Sequence, residues 1–401
     1  MILARQPDHM RDDELRPRRH FLKQAGLVTA GLGGLVALND CRRGRSPAEA
    51  KGPAIIKSQR QYQWTMVTTW PRNFPGLGTG ANRLAERIQS MSGGQLQISV
   101  KAAGERVPAL QVFDAVRSGT AELGHGAAYY WKGKLPAAQF FSAVPFGLNA
   151  QEMAAWMYHG GALKLWTELY ADFGVVPLPC GNTGVQMGGW FKKEIHSAAD
   201  FQGLIMRMPG LGGEVIRQVG AAAPNIPGGE IFQALDSGAI DATEWVGPYN
   251  DLAFGLYKAA PYYYYPGWHE PGTVLELLIN KSAWLALPAH LQAIIQGAAQ
   301  ADYNEMLAEF NARNGQALDT LVHARKVQLR RFPSDLLQKL AQISREVLGD
   351  MANQDTATRK VYDSFLGFQK TALGWNQIGE SAYDQARLLD PAVEALLQSR
   401  S

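Results

Sequence analysis

Two segments of this chain resemble each other, and this internal repeat is the feature that most constrains the fold. Residues 111–122 and 230–241 each have the pattern of a short amphipathic helix that ends at a glycine, with an acidic residue leading into a strand. Two copies of one helix-to-strand unit are typical of a protein with two similar lobes. The alternative explanation is a chance similarity between two common ways of ending a helix.

The length of the chain agrees with two lobes. A length of 401 residues exceeds what one typical hydrophobic core accommodates, and 46% hydrophobic with 19% charged residues is the composition of a folded protein. Strands are predicted at 62–68 and 95–100 with a helix at 81–92 between them, so the fold opens as β-α-β. We therefore predict an α/β protein of two lobes joined by a hinge.

Changes in composition and periodicity divide the chain into five parts. They are a signal segment (1–44), a linker (45–61), lobe I (62–180 and 281–330), lobe II with the hinge strands (181–280) and C-terminal helices (331–401). Pro177 and Pro179 confine a short apolar strand to the edge of its sheet or to a strand end, because proline has no N–H to donate to a neighbouring strand.

The C-terminal part of the chain has the periodicity of long helices. One helical pattern runs from Pro288 to about Arg325, and others cover 334–353 and 357–397. Helix breaks are predicted near Gly374, Gly379 and Pro391. The region contains few candidate catalytic groups, and the apolar face of a terminal helix needs a surface to pack on, so we predict scaffold helices that also serve dimerisation.

The first residues have the pattern of an export signal. Arg18 and Arg19 precede Phe-Leu-Lys, and a weakly hydrophobic run rich in glycine and alanine extends from Ala25 to Leu38. Paired arginines before such a run resemble a twin-arginine signal, which exports folded proteins, so we predict a periplasmic protein. Whether Cys41 carries a lipid, and where the signal is cleaved, both stay open.

Charge and cysteine content exclude other classes of protein. The formal net charge is +3, many basic residues lie near the N-terminus, and no later block of Lys and Arg with interleaved aromatic residues occurs. We therefore predict no nucleic-acid partner. The two cysteines, Cys41 and Cys180, are too few for a disulfide framework or a cysteine-based metal site.

Two glutamates mark the candidate ligand site. Glu244 lies in the segment 238–249 and Glu270 ends the segment 262–270, both rich in the Trp, Tyr, Gly and Pro residues that suit a pocket lining. With Gln186 they offer hard oxygen ligands, and two carboxylates in one pocket repel unless a proton or cation lies between them. This set predicts Na⁺ or Ca²⁺. The competing hypothesis is a glycosidase that uses the same two carboxylates.

Arg207 is the candidate anion-binding residue. It ends an apolar strand just before Pro209, where a charge without an anionic partner would cost roughly several kcal/mol. The planar guanidinium suits a carboxylate, either of a ligand or of the protein itself.

Five segments carry a resemblance to a known family. They are 186–190, 207–209, 228–232, 241–249 and 260–268, in which Asp-Ala-Thr-Glu-Trp and Tyr-Tyr-Tyr-Tyr-Pro-Gly-Trp are the most specific motifs. With these motifs the chain resembles the extracytoplasmic solute-binding proteins of TRAP transporters, particularly the branch that binds 2-oxo acids such as pyruvate. The resemblance extends from about Tyr62 to the C-terminal helices.

The resemblance implies a role for each candidate residue. Arg207 would pair with the carboxylate of the substrate. A cation, Na⁺ or Ca²⁺, would bind the substrate's carboxylate and 2-oxo oxygens and would itself be held by Gln186, Glu244, the backbone carbonyl of Trp245 and Glu270. The wall or lid of the pocket would contain Tyr129, Tyr130 and Trp70.

The family also implies partners and excludes catalysis. It implies a small 2-oxo or 2-hydroxy monocarboxylate as substrate, TRAP membrane permease subunits as partners, and a homodimer with swapped C-terminal helices. Two alternatives stay open. One is an exported glycoside hydrolase with Glu244 and Glu270 as acid and base, and the other is a cation-independent anion binder that serves an ABC-type permease.

Overall fold

The structure is a computed structural model that describes residues 60–392. The predicted signal segment, with Arg18, Arg19 and Cys41, lies outside the described residues, as do nearly all of the linker and residues 393–401. Ten strands are described: β1 (Tyr62–Thr68), β2 (Leu96–Lys101), β3 (Leu123–Gly126), β4 (Val175–Asn182), β5 (Gly189–Phe191), β6 (Met206–Arg207), β7 (Ala242–Thr243), β8 (Tyr262–Tyr265), β9 (Val274–Asn280) and β10 (Gln328–Arg331).

The strands form two mixed sheets of five. The first has the order β2-β1-β3-β9-β4 and the second the order β10-β8-β5-β7-β6. The chain crosses between the sheets after β4, after β8 and after β9. Strand β9 thus belongs to the first sheet, although its residues fall in the range predicted for lobe II. Strand β10 belongs to the second sheet, although most of its residues fall in the range predicted for lobe I. The α/β prediction is confirmed, and the lobe ranges themselves stay a prediction.

Helices cover both sheets, as expected of an α/β fold. In chain order the described α-helices are α1 (Gly78–Met91), α2 (Val112–Arg117), α3 (Ala150–Tyr158), α4 (Ala162–Ala171), α5 (Gly210–Gln218), α6 (Ile231–Ser237), α7 (Pro248–Phe254), α8 (Lys281–Ala286), α9 (Ala289–Asp319), α10 (Ser334–Ala352), α11 (Thr356–Ile378) and α12 (Glu380–Arg387). The predicted break at Gly379 is present, but the one at Gly374 is wrong, because α11 continues through that residue. Among the described residues, no helix is both long and apolar enough to cross a membrane.

The internal repeat occurs once in each sheet. Helix α2 leads to β3 of the first sheet, and helix α6 leads to β7 of the second. Gly119 and Gly238 follow these helices with φ of 75° and 83°, a left-handed conformation that glycine adopts without steric cost. The shared helix endings in the sequence therefore correspond to equivalent units in two parts of the fold.

Local sequence explains the positions of β9 and β4 in the first sheet. Strand β9 is an almost continuous apolar run that is buried on both faces, which suits an inner strand between β3 and β4. Strand β4 contains Pro177 and Pro179 and lies at the edge of the sheet, as predicted.

Helix α9 connects the two sheets through its packing. It contacts α1 and β4 on the side of the first sheet and α7 on the side of the second. A buried apolar cluster combines residues from the elements around both sheets, and it includes Trp70, Phe74, Tyr129, Trp190, Trp245, Met306 and Phe310. The candidate site residues Trp70, Tyr129 and Trp245 are therefore part of the core between the sheets.

Candidate functional site

The second sheet brings Arg207 and Glu244 together. Strands β6 and β7 are parallel neighbours in which Arg207 pairs with Thr243, so both strands end at the same edge and Glu244 follows directly. The guanidinium of Arg207 forms an ion pair with the Glu244 carboxylate through Nη1 and Oε1, and both side chains are 1% exposed. The sequence predicted that Arg207 pairs with a carboxylate of a ligand or of the protein itself. The carboxylate of the protein that it pairs with is Glu244.

Arg207 retains one donor for a further partner. Its Nε donates to the Ile226 carbonyl at 3.1 Å, whereas Nη2 is buried and has no hydrogen-bond partner among the described residues. Burial lowers the pKa of Arg207, but Glu244 together with Tyr130 and Tyr129 outweighs it, so the pKa is raised and the residue stays a cation. The buried guanidinium can therefore bind an additional anion.

Glu270 and Gln186 meet on the loops that join the two sheets. The Gln186 N–H donates to the Glu270 carbonyl at 3.0 Å, and the Thr273 hydroxyl donates to Glu270 Oε2 at 2.6 Å. Because that hydroxyl proton is committed to Glu270, Thr273 can only accept from Gln186 Nε2, 3.1 Å away. This fixes the orientation of the Gln186 amide and leaves its Oε1 without a partner in the described part of the chain.

The two carboxylates of the site disfavour each other's ionisation. Burial, and next the charge of Glu244, raise the pKa of Glu270, while the Thr273 hydroxyl and Arg207 lower it. Glu244 Oε2 is also buried without a hydrogen-bond partner among residues 60–392. A cation between the two carboxylates would satisfy these oxygens and remove their mutual repulsion.

His269, a lone histidine whose type is more often structural than a ligand, also lies at the site. Its ring nitrogen Nε2 lies 3.5 Å from Glu244 Oε2, and one ligand atom from each of Glu244, His269 and Glu270 lies within 4.8 Å of the others. Both ring nitrogens are buried without a partner in the described residues. The adjacency of His269 to Glu270 was the only signal in the sequence.

The oxygen donors fit a hard cation. Gln186 and Glu244 each present a buried oxygen that has no hydrogen bond within the described residues, and Glu270 lies beside Glu244. Amide and carboxylate oxygens are the ligands that Na⁺ and Ca²⁺ accept. A second acidic and histidine cluster, His125 with Cys180 and Asp302, does not fit a metal, because both His125 nitrogens already pair with Trp70 and with the Cys180 carbonyl.

The predicted wall residues lie beside this charged centre. Burial and then the charge of Glu270 raise the pKa of Tyr129. Tyr129 and Tyr130 pack edge to face with ring centres 4.8 Å apart, and Trp70 lies 6.4 Å from both Tyr130 and Trp245. All the predicted site residues are thus brought together in one buried region.

A surface groove lies away from this site. It has a volume of about 920 Å³, runs along the end of α9 near His323 and Leu329, and its described lining contains none of the predicted site residues. We assign the site from the convergence of buried, incompletely paired polar atoms, because an open surface groove offers no such chemistry.

The fold and this site together define a class of protein. Two α/β parts that meet at buried charged groups are typical of a two-lobed ligand-binding protein. The model of the bacterial extracellular solute-binding protein family 7 matches residues 66–355. The chain belongs to this family.

Individual relatives agree with this assignment. The chain is 44% identical to a monocarboxylate 2-oxoacid-binding periplasmic protein of Nostoc, over 92% of the chain and 98% of the relative. A TRAP transporter solute-binding protein of Bordetella bronchiseptica, a mixed-occupancy dimer with calcium and picolinate, has a TM-score of 0.81 at 36% identity and covers 84% and 99% of the two chains. One from Pseudoalteromonas atlantica with sodium and pyruvate has a TM-score of 0.79 at 41% identity and covers 81% and 99%.

These relatives decide between the predicted classes. The expectation of a TRAP solute-binding protein rather than an enzyme is confirmed, and the glycoside hydrolase receives no support. The expected periplasmic location agrees with the family and with the Nostoc relative.

Proposed function

We propose that this protein captures a small 2-oxo or 2-hydroxy monocarboxylate, with pyruvate the first candidate, and holds it through Arg207 and a protein-bound cation. The observation that carries the proposal is that Arg207 Nη2 and one oxygen each of Gln186 and Glu244 are buried without a hydrogen-bond partner among residues 60–392. These side chains are connected through the Arg207–Glu244 pair, the Glu244–Glu270 cluster and the Gln186–Glu270 hydrogen bond. The names of relatives with pyruvate, sodium or calcium bound support the same chemistry.

Each residue has a separate task in this proposal. Arg207 Nη2 donates to the ligand carboxylate while Nη1 stays with Glu244, so one guanidinium connects the ligand to the protein anion. The cation, Na⁺ or Ca²⁺, binds the ligand's carboxylate and 2-oxo or 2-hydroxy oxygens. Its ligands from the protein are Gln186, Glu244, the carbonyl of Trp245 and Glu270, and the pocket wall is formed by Tyr129, Tyr130 and Trp70.

Thermal unfolding of the mature, ligand-stripped protein tests the proposal. A ligand that binds only the folded state raises the unfolding temperature by mass action. We expect pyruvate with Ca²⁺ or Na⁺ to raise it, and we expect the shift to disappear in potassium buffer with chelator. Glu270→Gln and Arg207→Gln should abolish the shift, whereas Glu86→Gln, a substitution of an exposed glutamate, should leave it unchanged.

Other outcomes would replace the proposal. A shift with carboxylates that survives chelation and Glu270→Gln but not Arg207→Gln would indicate the cation-independent binder. A shift or turnover with oligosaccharides, and none with small carboxylates, would favour the hydrolase.

The C-terminal helices are the proposed dimer contact. Large apolar side chains that are exposed in the single chain are concentrated on α11, α12 and the residues that follow, and they are Leu366, Leu373, Trp375, Ile378, Tyr383, Leu388 and Leu389. A second copy of the chain would cover this surface, and the dimer named for the Bordetella bronchiseptica relative supports that assembly.

Two further proposals concern delivery. We assign export to the twin-arginine pathway on the basis of Arg18 and Arg19, and retention of an Arg18→Lys, Arg19→Lys variant in the cytoplasm would be the check. The partners that receive the ligand are TRAP permease subunits, as the names of the relatives suggest.

A further inference from the structure

Asn250 connects the site to the opposite part of the fold. It lies on α7, is fully buried, and accepts a hydrogen bond from the Trp245 indole N–H at 3.2 Å. Its amide nitrogen donates to the Pro75 carbonyl at 3.0 Å. Pro75 lies in the loop between β1 and α1, beside the first sheet, whereas α7 and Trp245 follow β7 of the second.

The chemistry of the two partners fixes the Asn250 amide in one orientation. An indole N–H can only donate and a backbone carbonyl can only accept. In a flipped amide the side-chain NH₂ would face the Trp245 N–H, donor against donor, and the side-chain oxygen would face the Pro75 carbonyl, acceptor against acceptor. The bridge can form only when the Pro75 loop and Trp245 are both in place, so it depends on how the two parts of the fold approach each other.

The Trp245 ring contacts both Asn250 and Arg207, so it connects this bridge to the proposed anion-binding residue. The ring lies against Gly228, where an added Cβ would be 2.4 Å from Trp245 Cη2, so a side chain at that position would displace the ring. The guanidinium of Arg207 lies over the same ring, 5.3 Å from its centre. Asn250 is thus two contacts away from the group that is proposed to bind the ligand carboxylate.

The same loop meets Trp245 with aromatic side chains. Phe74 lies edge to face with Trp245 at 6.1 Å between ring centres, and Trp70 does so at 6.4 Å. The Trp70 indole N–H is held in turn by His125 Nδ1 at 2.7 Å. Both tryptophans therefore have a fixed ring orientation where they meet, which makes this contact sensitive to movement of either part.

We propose that Asn250 is a positioning residue that links closure of the two parts to the orientation of Trp245 and Arg207, and thereby sets the lifetime of the bound ligand. The inference rests on the proposed function, because it assumes that Arg207 binds the ligand. Asn250 itself touches neither ligand nor cation in this proposal. Loss of the bridge should therefore accelerate dissociation while leaving the association step nearly unchanged.

Stopped-flow binding of pyruvate with Ca²⁺ tests the proposal. Asn250→Leu removes both hydrogen bonds at similar volume, and Asn250→Asp retains an acceptor for Trp245 but cannot donate to Pro75. We expect the dissociation rate constant to rise about tenfold in both variants and the association rate constant to change by about twofold at most. Unchanged dissociation in either folded variant would overturn the proposal.

Lys132→Met provides the matched control. Lys132 follows the turn Ala128–Trp131 and pairs with Glu214 of α5 at 2.5 Å, so this substitution also removes a contact between the two parts, but one without a link to Trp245. Its pair is partly exposed, and we expect dissociation to change by about twofold at most. A tenfold effect in this control would show that any contact between the parts has the same influence, contrary to the proposal.

If the Asn250 variants do not fold, a measurement on the wild type tests the same proposal. The indole N–H of Trp245 can be assigned in a ¹⁵N-tryptophan spectrum as the signal lost in Trp245→Phe. Pyruvate with Ca²⁺ should slow its exchange with solvent at least tenfold, because closure adds the bond from Asn250 to Pro75 and thereby holds Asn250 in place as the acceptor of this N–H. Equal exchange with and without ligand would contradict the inference, whereas a wild type that fails to bind pyruvate at all would instead refute the proposed function.

Discussion

At the scale of single residues, the buried charged groups are of two kinds. Those of the candidate site keep atoms without a partner in the described part of the chain, as Arg207 Nη2 and Glu244 Oε2 do. Glu276 is of the other kind, because Trp131 and Tyr170 donate to its two carboxylate oxygens within the core of the first sheet. Burial alone therefore does not mark a ligand site, because the equally buried Glu276 has a protein donor on each of its oxygens.

Glu276 should make stability depend on pH. Burial raises the pKa of this carboxyl to about 8, although the bonds from Trp131 and Tyr170 lower it. The unfolded chain ionises at about 4.3, so the folded state binds a proton that the unfolded state has lost. The contribution of this proton to the free energy of unfolding is thus fully present at low pH and is lost as pH rises from about 4.3 to about 8.

Glu276→Gln removes this titration. We expect the decline in the free energy of unfolding between about pH 5 and about pH 8 to become smaller by roughly 3 kcal/mol, measured by urea denaturation. Glu86→Gln, at an exposed position on α1, should leave the decline as in the wild type. An equal pH dependence in wild type and Glu276→Gln would show that Glu276 does not carry the proton.

At the scale of helices, Arg83 fixes α1 against α9. Its Nε donates to Asp302 Oδ1 and its Nη1 to Glu309 Oε2, both at 3.0 Å. The Asp302 side chain is fully buried, whereas that of Arg83 is 22% exposed. The contact matters for the whole fold, because α9 also packs on α7 beside the site.

Arg83→Met should destabilise the protein. The substitution leaves Asp302 buried without its cation, and we expect a loss of about 2 kcal/mol in urea denaturation, less than for a fully buried pair because Arg83 is partly exposed. Arg87→Met on the same helix removes a pair with the more exposed Glu305 and should cost under about 1 kcal/mol. Equal losses in the two variants would contradict the argument from burial.

At the scale of the whole molecule, the exposed apolar surface predicts self-association. Trp375 and Ile378 are 67% and 73% exposed on α11. We expect a dimer for the wild type and a monomer for the double variant Trp375→Glu, Ile378→Glu by light scattering. Leu285→Glu, a change at a 69% exposed leucine on α8, should remain a dimer. A monomeric wild type would leave the C-terminal helices without the proposed partner.

Much of this organisation could be predicted from the sequence, because it depends on local patterns. The alternation in β1, the prolines of β4, the glycine endings of α2 and α6 and the long periodicity of α9 each depend on neighbouring residues. The motifs around Glu244 and Glu270 likewise indicated the family before any fold was known. Local conformation and motif content are properties of short segments, so the sequence alone determines them.

Only the tertiary structure decided which distant residues meet. Arg207 pairs with Glu244 because β6 and β7 lie side by side, and Asn250 reaches Pro75 because α7 packs near the loop after β1. The same holds for β9, whose apolar run predicts burial but not the sheet that it joins. Such contacts depend on how every element packs at once, and no local pattern in the chain records that arrangement.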